Sequence, residues 1–136
     1  MTDGSRPDPL LRVSVDHWNG VARIRLAGEL DLASREHFER ALSAAESYGR
    51  TAVVLNLENL VFMDSTGLSA ILTALKRAED SGRTLQVHGA RDEIRRILAI
   101  SGLHWLLEGA ASTAPDSSGE ARDWEPILVP DGEPDG

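Results

Sequence analysis

The run Ala52-Val53-Val54-Leu55 constrains the fold most, because it is apolar at four consecutive positions. A strand with one face in water alternates apolar and polar residues, whereas a strand covered on both faces is continuously apolar. Residues 51–57 are therefore predicted to form the central strand of a sheet that is covered by helices.

Helical periodicity lies on both sides of this strand. A first helix is predicted from its cap at Ser34 to about residue 48, where Gly49 stops it, and a second from about residue 66 to 81, where Gly82 follows. The predicted inner faces are Phe38, Leu42 and Ala45 in the first helix, and Leu68, Ile71, Leu72, Leu75 and Ala78 in the second.

The remaining patterned segments complete an α/β fold. Asn19-Gly20 separates two alternating apolar segments, which is a strong signal for a β-hairpin. A strand at 84–88 and a helix at about 91–101 follow the second helix. The predicted fold is a single domain with a mixed β-sheet, a leading hairpin and helices packed on the sheet.

Composition divides the 136 residues into three parts. Residues 1–9 are predicted to be a disordered arm, residues 10–109 the domain, and residues 110–136 an acidic, disordered tail. The segment from Glu108 onward holds eight acids and one base, and so carries −7 of the net charge of −8. An acidic tail and a nearly neutral body predict no direct binding of nucleic acid and no membrane insertion.

One short segment of the tail is apolar. Trp124 and residues 127–129 interrupt the acidic composition. Two interpretations are open: the segment is a docking peptide for another protein, or it lies on the chain's own domain.

Several classes of function lack the residues they need. The absence of cysteine excludes disulfides, thiol catalysis and Cys-based zinc sites. The four histidines are His17, His37, His88 and His104. They do not have metal-binding spacing, so no metal or other cofactor is expected. No run of about twenty apolar residues and no secretory signal is present, so we expect a cytoplasmic protein.

The segment Asp64-Ser65-Thr66-Gly67 opens the second predicted helix. Any of the three polar residues could cap the helix. Capping does not explain Gly67, which costs about 1 kcal/mol relative to alanine in a helix interior unless something approaches the backbone closely.

Helical geometry predicts what this helix presents to solvent. If the leucine-rich stripe faces inward, Ser65, Ser69, Thr73 and Lys76 share the opposite face. A face of small side chains suits close docking by another protein.

Several separated motifs resemble those of STAS domains, in particular the bacterial anti-sigma-factor antagonists, also called anti-anti-sigma factors. The resemblance extends over about residues 10–107. It rests on Gly28-Glu29-Leu30-Asp31, Val54-Leu55-Asn56-Leu57, Phe62-Met63-Asp64-Ser65-Thr66-Gly67-Leu68 and Ser101-Gly102-Leu103. The closing helix usual in the family is not evident after Leu107.

The resemblance implies a phosphorylation switch. In the family, the serine that follows the aspartate is phosphorylated by an anti-sigma factor that is a serine kinase, and this position is Ser65. The unmodified protein binds the kinase and releases its sigma factor, and a serine phosphatase resets the phosphorylated form. Thr66 is a less favoured acceptor. Gly67 belongs to the same motif. Glu29 and Asp31 are either partner contacts, which the resemblance favours, or ordinary loop acids. Asp64 either caps the helix or orients the Ser65 hydroxyl.

Two other functional classes are weighed against this switch. A non-switching STAS subunit, in a signalling assembly or a membrane lipid-transport complex, would use the same helix face without phosphorylation. A hydrolase would need Ser65 as nucleophile, but the G-x-S-x-G motif is absent. We therefore expect a substrate of a kinase rather than an enzyme.

Overall fold

The computed structural model describes residues 10–103 and 123–129. Its elements are β1 (Leu11–Trp18), β2 (Val21–Leu30), α1 (Arg35–Glu46), β3 (Ala52–Met63), α2 (Ser65–Ser81), β4 (Thr84–His88), α3 (Asp92–Ile100) and β5 (Glu125–Ile127). This order confirms the predicted α/β fold with a leading hairpin.

The five strands form one mixed sheet in the order β4-β3-β2-β1-β5. β1 and β2 are antiparallel, and the turn between them places Asn19 and Gly20 at φ values of 56° and 82°. These left-handed conformations are what a two-residue hairpin turn requires. β2, β3 and β4 are parallel, so their carboxyl ends lie at one edge of the sheet.

The sheet has an apolar face under the helices and a second face that is also covered. Six consecutive residues of β3, from Ala52 to Leu57, are buried, which agrees with a strand shielded on both faces. Helices α1 and α2 contact each other and pack on the sheet. Their apolar side chains meet those of the strands in one core that includes Ile24, Leu26, Phe38, Leu55, Leu57 and Ile71.

The buried face of α2 differs from the predicted one. Its buried residues are Gly67, Ala70, Ile71, Ala74 and Ala78. Leu72, expected in the core, is 41% exposed, and Leu68 and Leu75 are only partly buried. The small residues let the helix lie close to the sheet, so large side chains are displaced to the margins.

Two segments are more structured than predicted. β3 continues to Met63, beyond the predicted end at residue 57, because it pairs with the end of β2. The tail expected to be disordered from residue 110 contains β5, where Trp124 and Ile127 are buried. Their burial against the sheet provides the apolar area that the acidic composition lacks. Within residues 123–129, the apolar segment thus lies on its own domain.

Some predictions fall outside the described residues. These are the disordered arm at 1–9, most of the tail, and the segment after Leu103 where the family's closing helix would stand. In the described part of the chain, no helix is long and apolar enough to cross a membrane.

Candidate partner-binding site at the start of helix α2

Parallel pairing of β2 and β3 brings together two segments that are distant in sequence. Glu29 is paired with Phe62, and Leu30 with Met63. Asp31 follows the end of β2, just as Asp64 follows the end of β3. The carboxyl ends of both strands therefore place the predicted contacts Glu29 and Asp31 beside the start of α2.

Asp64 caps helix α2. Its side-chain carboxylate accepts a hydrogen bond from the backbone N–H of Gly67 at 2.9 Å, and its carbonyl accepts from Leu68 N–H at 2.9 Å. The backbone N–H of Asp64 donates to the Leu30 carbonyl at 3.4 Å, which ties the helix terminus to the end of β2. Of the two roles considered for Asp64, the geometry supports capping.

Gly67 is required by a close approach inside the domain. A Cβ at this position would lie 2.3 Å from the Leu30 carbonyl oxygen and 2.8 Å from Cγ of Met63. Both distances are too short for a real side chain. The sequence indicated that something lies close to the Gly67 backbone, and that group is the carboxyl end of strand β2. The same Leu30 carbonyl accepts the hydrogen bond from the backbone N–H of Asp64.

The Ser65 side chain is exposed at the first position of α2. Among residues 10–103 and 123–129, its hydroxyl makes no hydrogen bond to another side chain or carbonyl. The cap of the helix is made by Asp64 instead. Thr66 is only half exposed. The predicted outer face is confirmed as a solvent-facing surface, because Ser69, Thr73 and Lys76 are all exposed.

The loop after β2 is held by Ser34, a residue to which the sequence assigned only a capping role. Its side chain makes no capping bond to α1. The buried Ser34 hydroxyl instead donates to the Glu29 carbonyl at 2.8 Å and accepts from Asp31 N–H at 3.0 Å. The Asp31 carboxylate accepts from Ser34 N–H at 3.1 Å. Asp31 therefore has a structural role in shaping the loop next to Ser65.

Large apolar side chains are exposed around this site, which sequence patterns did not predict. Leu32 is 74% exposed in the loop after β2, and Phe62 is 46% exposed on β3 three residues before Ser65. Leu72 lies two turns further along the outer face of α2. Exposed large apolar side chains around one site are a feature of protein-binding surfaces.

The side chains of the site do not form a metal centre. In the described ranges, no group of three or more His, Asp or Glu side chains is placed to hold an ion.

The charged groups Glu29, Asp31 and Asp64 make the site acidic, while Lys76 adds a positive charge three turns into the helix.

The chain matches the family model described as "Mlab, STAS domain" over residues 13–108. The anti-sigma-B factor antagonist of Staphylococcus aureus (strain NCTC 8325 / PS 47) is 33% identical over 84 residues, which are 62% of this chain and 78% of that protein. The anti-sigma F factor antagonist of Paenibacillus polymyxa is 34% identical over 98 residues, which are 71% of this chain and 84% of that protein.

The fold is that of a solved anti-sigma factor antagonist. The unphosphorylated form of SpoIIAA superimposes with a TM-score of 0.64 at 24% identity, over 82% of this chain and 94% of that one. The phosphorylated form of SpoIIAA, a Bacillus cell fate determinant, has a TM-score of 0.62. The matches to the family model and to the two antagonists cover most of the domain. The chain therefore belongs to the STAS-domain family of anti-sigma factor antagonists.

Proposed function

We propose that this protein is an anti-sigma factor antagonist whose unmodified form binds an anti-sigma serine kinase and releases its sigma factor, and that phosphorylation of Ser65 ends this binding. The observation that carries the proposal is the exposed Ser65 hydroxyl at a helix terminus already capped by Asp64. A kinase can modify this hydroxyl without removing a bond that holds the helix together.

Ser65 is the better acceptor of the two adjacent hydroxyls. Thr66 is partly buried, whereas Ser65 is exposed. Relatives named as antagonists support the proposed class of function, and the fold neighbour SpoIIAA is known in phosphorylated and unphosphorylated forms.

The helix itself tolerates the phosphate. A phosphate adds about −1.5 to −2 charges, placed where the free N–H groups of the first helical turn point outward. This favourable interaction is typically about 0.3 to 1 kcal/mol and offsets part of the repulsion from the Asp64 carboxylate. We therefore expect the phosphorylated domain to remain folded.

A docked partner responds differently. A partner carboxylate about 6 Å from the phosphate, at an effective dielectric constant near 20, is repelled by roughly 3 kcal/mol for each phosphate charge. This corresponds to about a hundredfold loss of affinity per charge. The exposed apolar residues Leu32, Phe62 and Leu72 supply the contact area that this repulsion overcomes.

The phosphorylation step is tested with ATP and the candidate anti-sigma kinase. We expect intact-mass measurement to detect one phosphate on the wild-type chain and none on Ser65→Ala. Thr66→Ala is the matched control and should still be modified. Phosphate transfer to Ser65→Ala at the wild-type rate would contradict the assignment. A chain that binds the partner but is never modified would instead be a non-switching STAS subunit.

The binding step is tested with a fixed negative charge. Ser65→Asp should weaken binding to the kinase by about a hundredfold, as expected for one charge at this distance. Ser43→Asp, at an exposed serine of α1, is the control for added charge alone. Equal affinities of Ser65→Asp and wild type, measured by calorimetry, would contradict the proposed switch.

A further inference from the structure

The C-terminal strand β5 is attached to the sheet by a short backbone pairing. It pairs with β1 at three positions only: Glu125 with His17, Pro126 with Asp16 and Ile127 with Val15. Pro126 has no N–H group, and proline occurs in sheets mainly on edge strands such as this one. Residues 104–122 connect β5 to the end of the domain at Leu103.

Ile127 of this segment belongs to the hydrophobic core, and Trp124 anchors the segment on the second face of the sheet. Its ring lies 4.0 Å from the guanidinium carbon of Arg23 and 6.2 Å from the ring of Trp18. Arg23 is 1% exposed, and its guanidinium donates two hydrogen bonds to the Asp16 carboxylate at 3.0 and 2.8 Å. The tryptophan thus covers an ion pair that joins β1 to β2.

This ion pair does not depend on Trp124 for its hydrogen bonds. If residues 123–129 detach, Arg23 and Asp16 remain bonded to each other and gain contact with water, so no buried charge is left alone. Detachment therefore leaves the ion pair intact and costs mainly the burial of Trp124 and Ile127.

Detachment would expose the outer edge of β1. In the described part of the chain, β5 covers only Val15 to His17, and residues 11–14 have no strand beyond them. An exposed strand edge carries unpaired N–H and C=O groups and is a template for pairing with another chain.

The edge of β1 is complementary to a second copy of itself. When two copies pair antiparallel with Ser14 opposite Ser14, each Arg12 lies opposite the Asp16 of the other copy, and Val13 lies opposite Val15. Shifting the centre of pairing to residue 13 or 15 loses both Arg–Asp pairs. Pro126 of the bound tail lies opposite Asp16, so the tail and the second copy require the same position.

We propose that residues 123–129 form a detachable edge strand that binds β1 of its own chain and thereby prevents β1 from pairing with β1 of a second copy. Because the tail and β1 belong to one chain, binding of the tail does not depend on protein concentration, whereas pairing with a second copy does. This inference is independent of Ser65, which lies on another part of the surface.

The test compares full-length variants by sedimentation velocity at protein concentrations up to roughly 0.2 mM, because pairing with a second copy, unlike binding of the tail, rises with concentration. Trp124→Ala should raise the open fraction by about 100- to 1,000-fold and give a dimer, because it removes a buried aromatic anchor. Leu128→Ala, in the same segment but 91% exposed, is the matched control and should stay monomeric like wild type.

A second substitution tests the predicted pairing. Ser14→Lys adds a positive charge at an exposed position, and in the proposed pairing this lysine would lie opposite the same lysine of the second copy. Trp124→Ala/Ser14→Lys should therefore return to a monomer. A monomeric Trp124→Ala variant overturns the proposal, as does a dimer that persists in the double variant.

Hydrogen exchange on the wild-type chain covers the case in which Trp124→Ala does not fold. The amides of residues 125 and 127 should exchange at least about a hundredfold faster than those of the central strand β3, because they open by local detachment. Equal exchange rates in β5 and β3 would show that the tail opens only with the whole domain, and would overturn the proposal.

Discussion

The substitution Gly67→Ala tests whether the site is built on one internal contact. The new methyl group would lie 2.3 Å from the Leu30 carbonyl oxygen, about 1 Å closer than the ~3.3 Å at which a carbon and a carbonyl oxygen normally meet. The obstacle is backbone, so no side-chain rotation relieves it. The 2.8 Å approach to Met63 adds a second overlap at a flexible side chain.

Two effects of opposite sign determine the stability of this variant. Overpacking in a close contact costs typically about 1 to 3 kcal/mol. Replacing glycine by alanine in a helix returns about 1 kcal/mol. The obstacle is backbone, so the cost should lie in the upper part of that range, about 2 to 3 kcal/mol. We therefore expect Gly67→Ala to lower the free energy of unfolding by about 1 to 2 kcal/mol, and the Tm by about 4 to 8 °C for each kcal/mol in a domain of this size.

Urea unfolding followed by circular dichroism measures this difference. Ser69→Ala, at an exposed position of the same helix, is the control for helix propensity and should be slightly stabilising. If Gly67→Ala is as stable as wild type or more stable, the contact with Leu30 is not what requires glycine. A requirement imposed by the docked partner would then be the better explanation.

Two further substitutions test the cap of α2 and the ion pair of the sheet. Asp64→Ala should lower the free energy of unfolding by about 0.5 to 2 kcal/mol, whereas Asp64→Ser, which can still cap, should lose much less in the same urea titration. Asp16→Ala should cost about 3 to 5 kcal/mol, because it leaves the buried Arg23 charge without its carboxylate. The double variant Asp16→Leu/Arg23→Met should be more stable than Asp16→Ala in thermal unfolding, because it replaces both members of the buried ion pair. A less stable double variant would refute the argument from the broken ion pair.

The course of the chain was predictable where local patterns follow local structure. The run from Ala52 to Leu55 predicted the covered central strand, and Asn19-Gly20 predicted the hairpin turn. The end of β3 was not predictable by alternation, because its pairing with β2 shifts register twice and the buried residues Leu57, Leu60 and Met63 are three apart.

The features missed in the sequence depend on tertiary contacts. Leu72 fits the helical period of its neighbours, and only the close packing of Ala70 and Ala74 on the sheet turns it toward solvent. Strand β5 was missed because it depends on the packing of Trp124 against Arg23, which lies about a hundred residues earlier in the chain. The site segment was recognised because Asp64, Ser65, Thr66 and Gly67 are consecutive in the sequence, whereas the role of Ser34 depends on a hydrogen bond to the Glu29 carbonyl.

The parallel arrangement of β2 and β3 offers a position for a fluorescent reporter. Their amino ends meet where Thr51 N–H donates to the Gly20 carbonyl, at the end of the sheet opposite Ser65 and about 30 Å away along the ten residues of β2. The chain has no cysteine of its own, so one cysteine placed at the exposed Arg50 would take a single maleimide dye. Association with the proposed kinase partner could then be followed in real time by anisotropy, with the label well clear of the proposed docking surface.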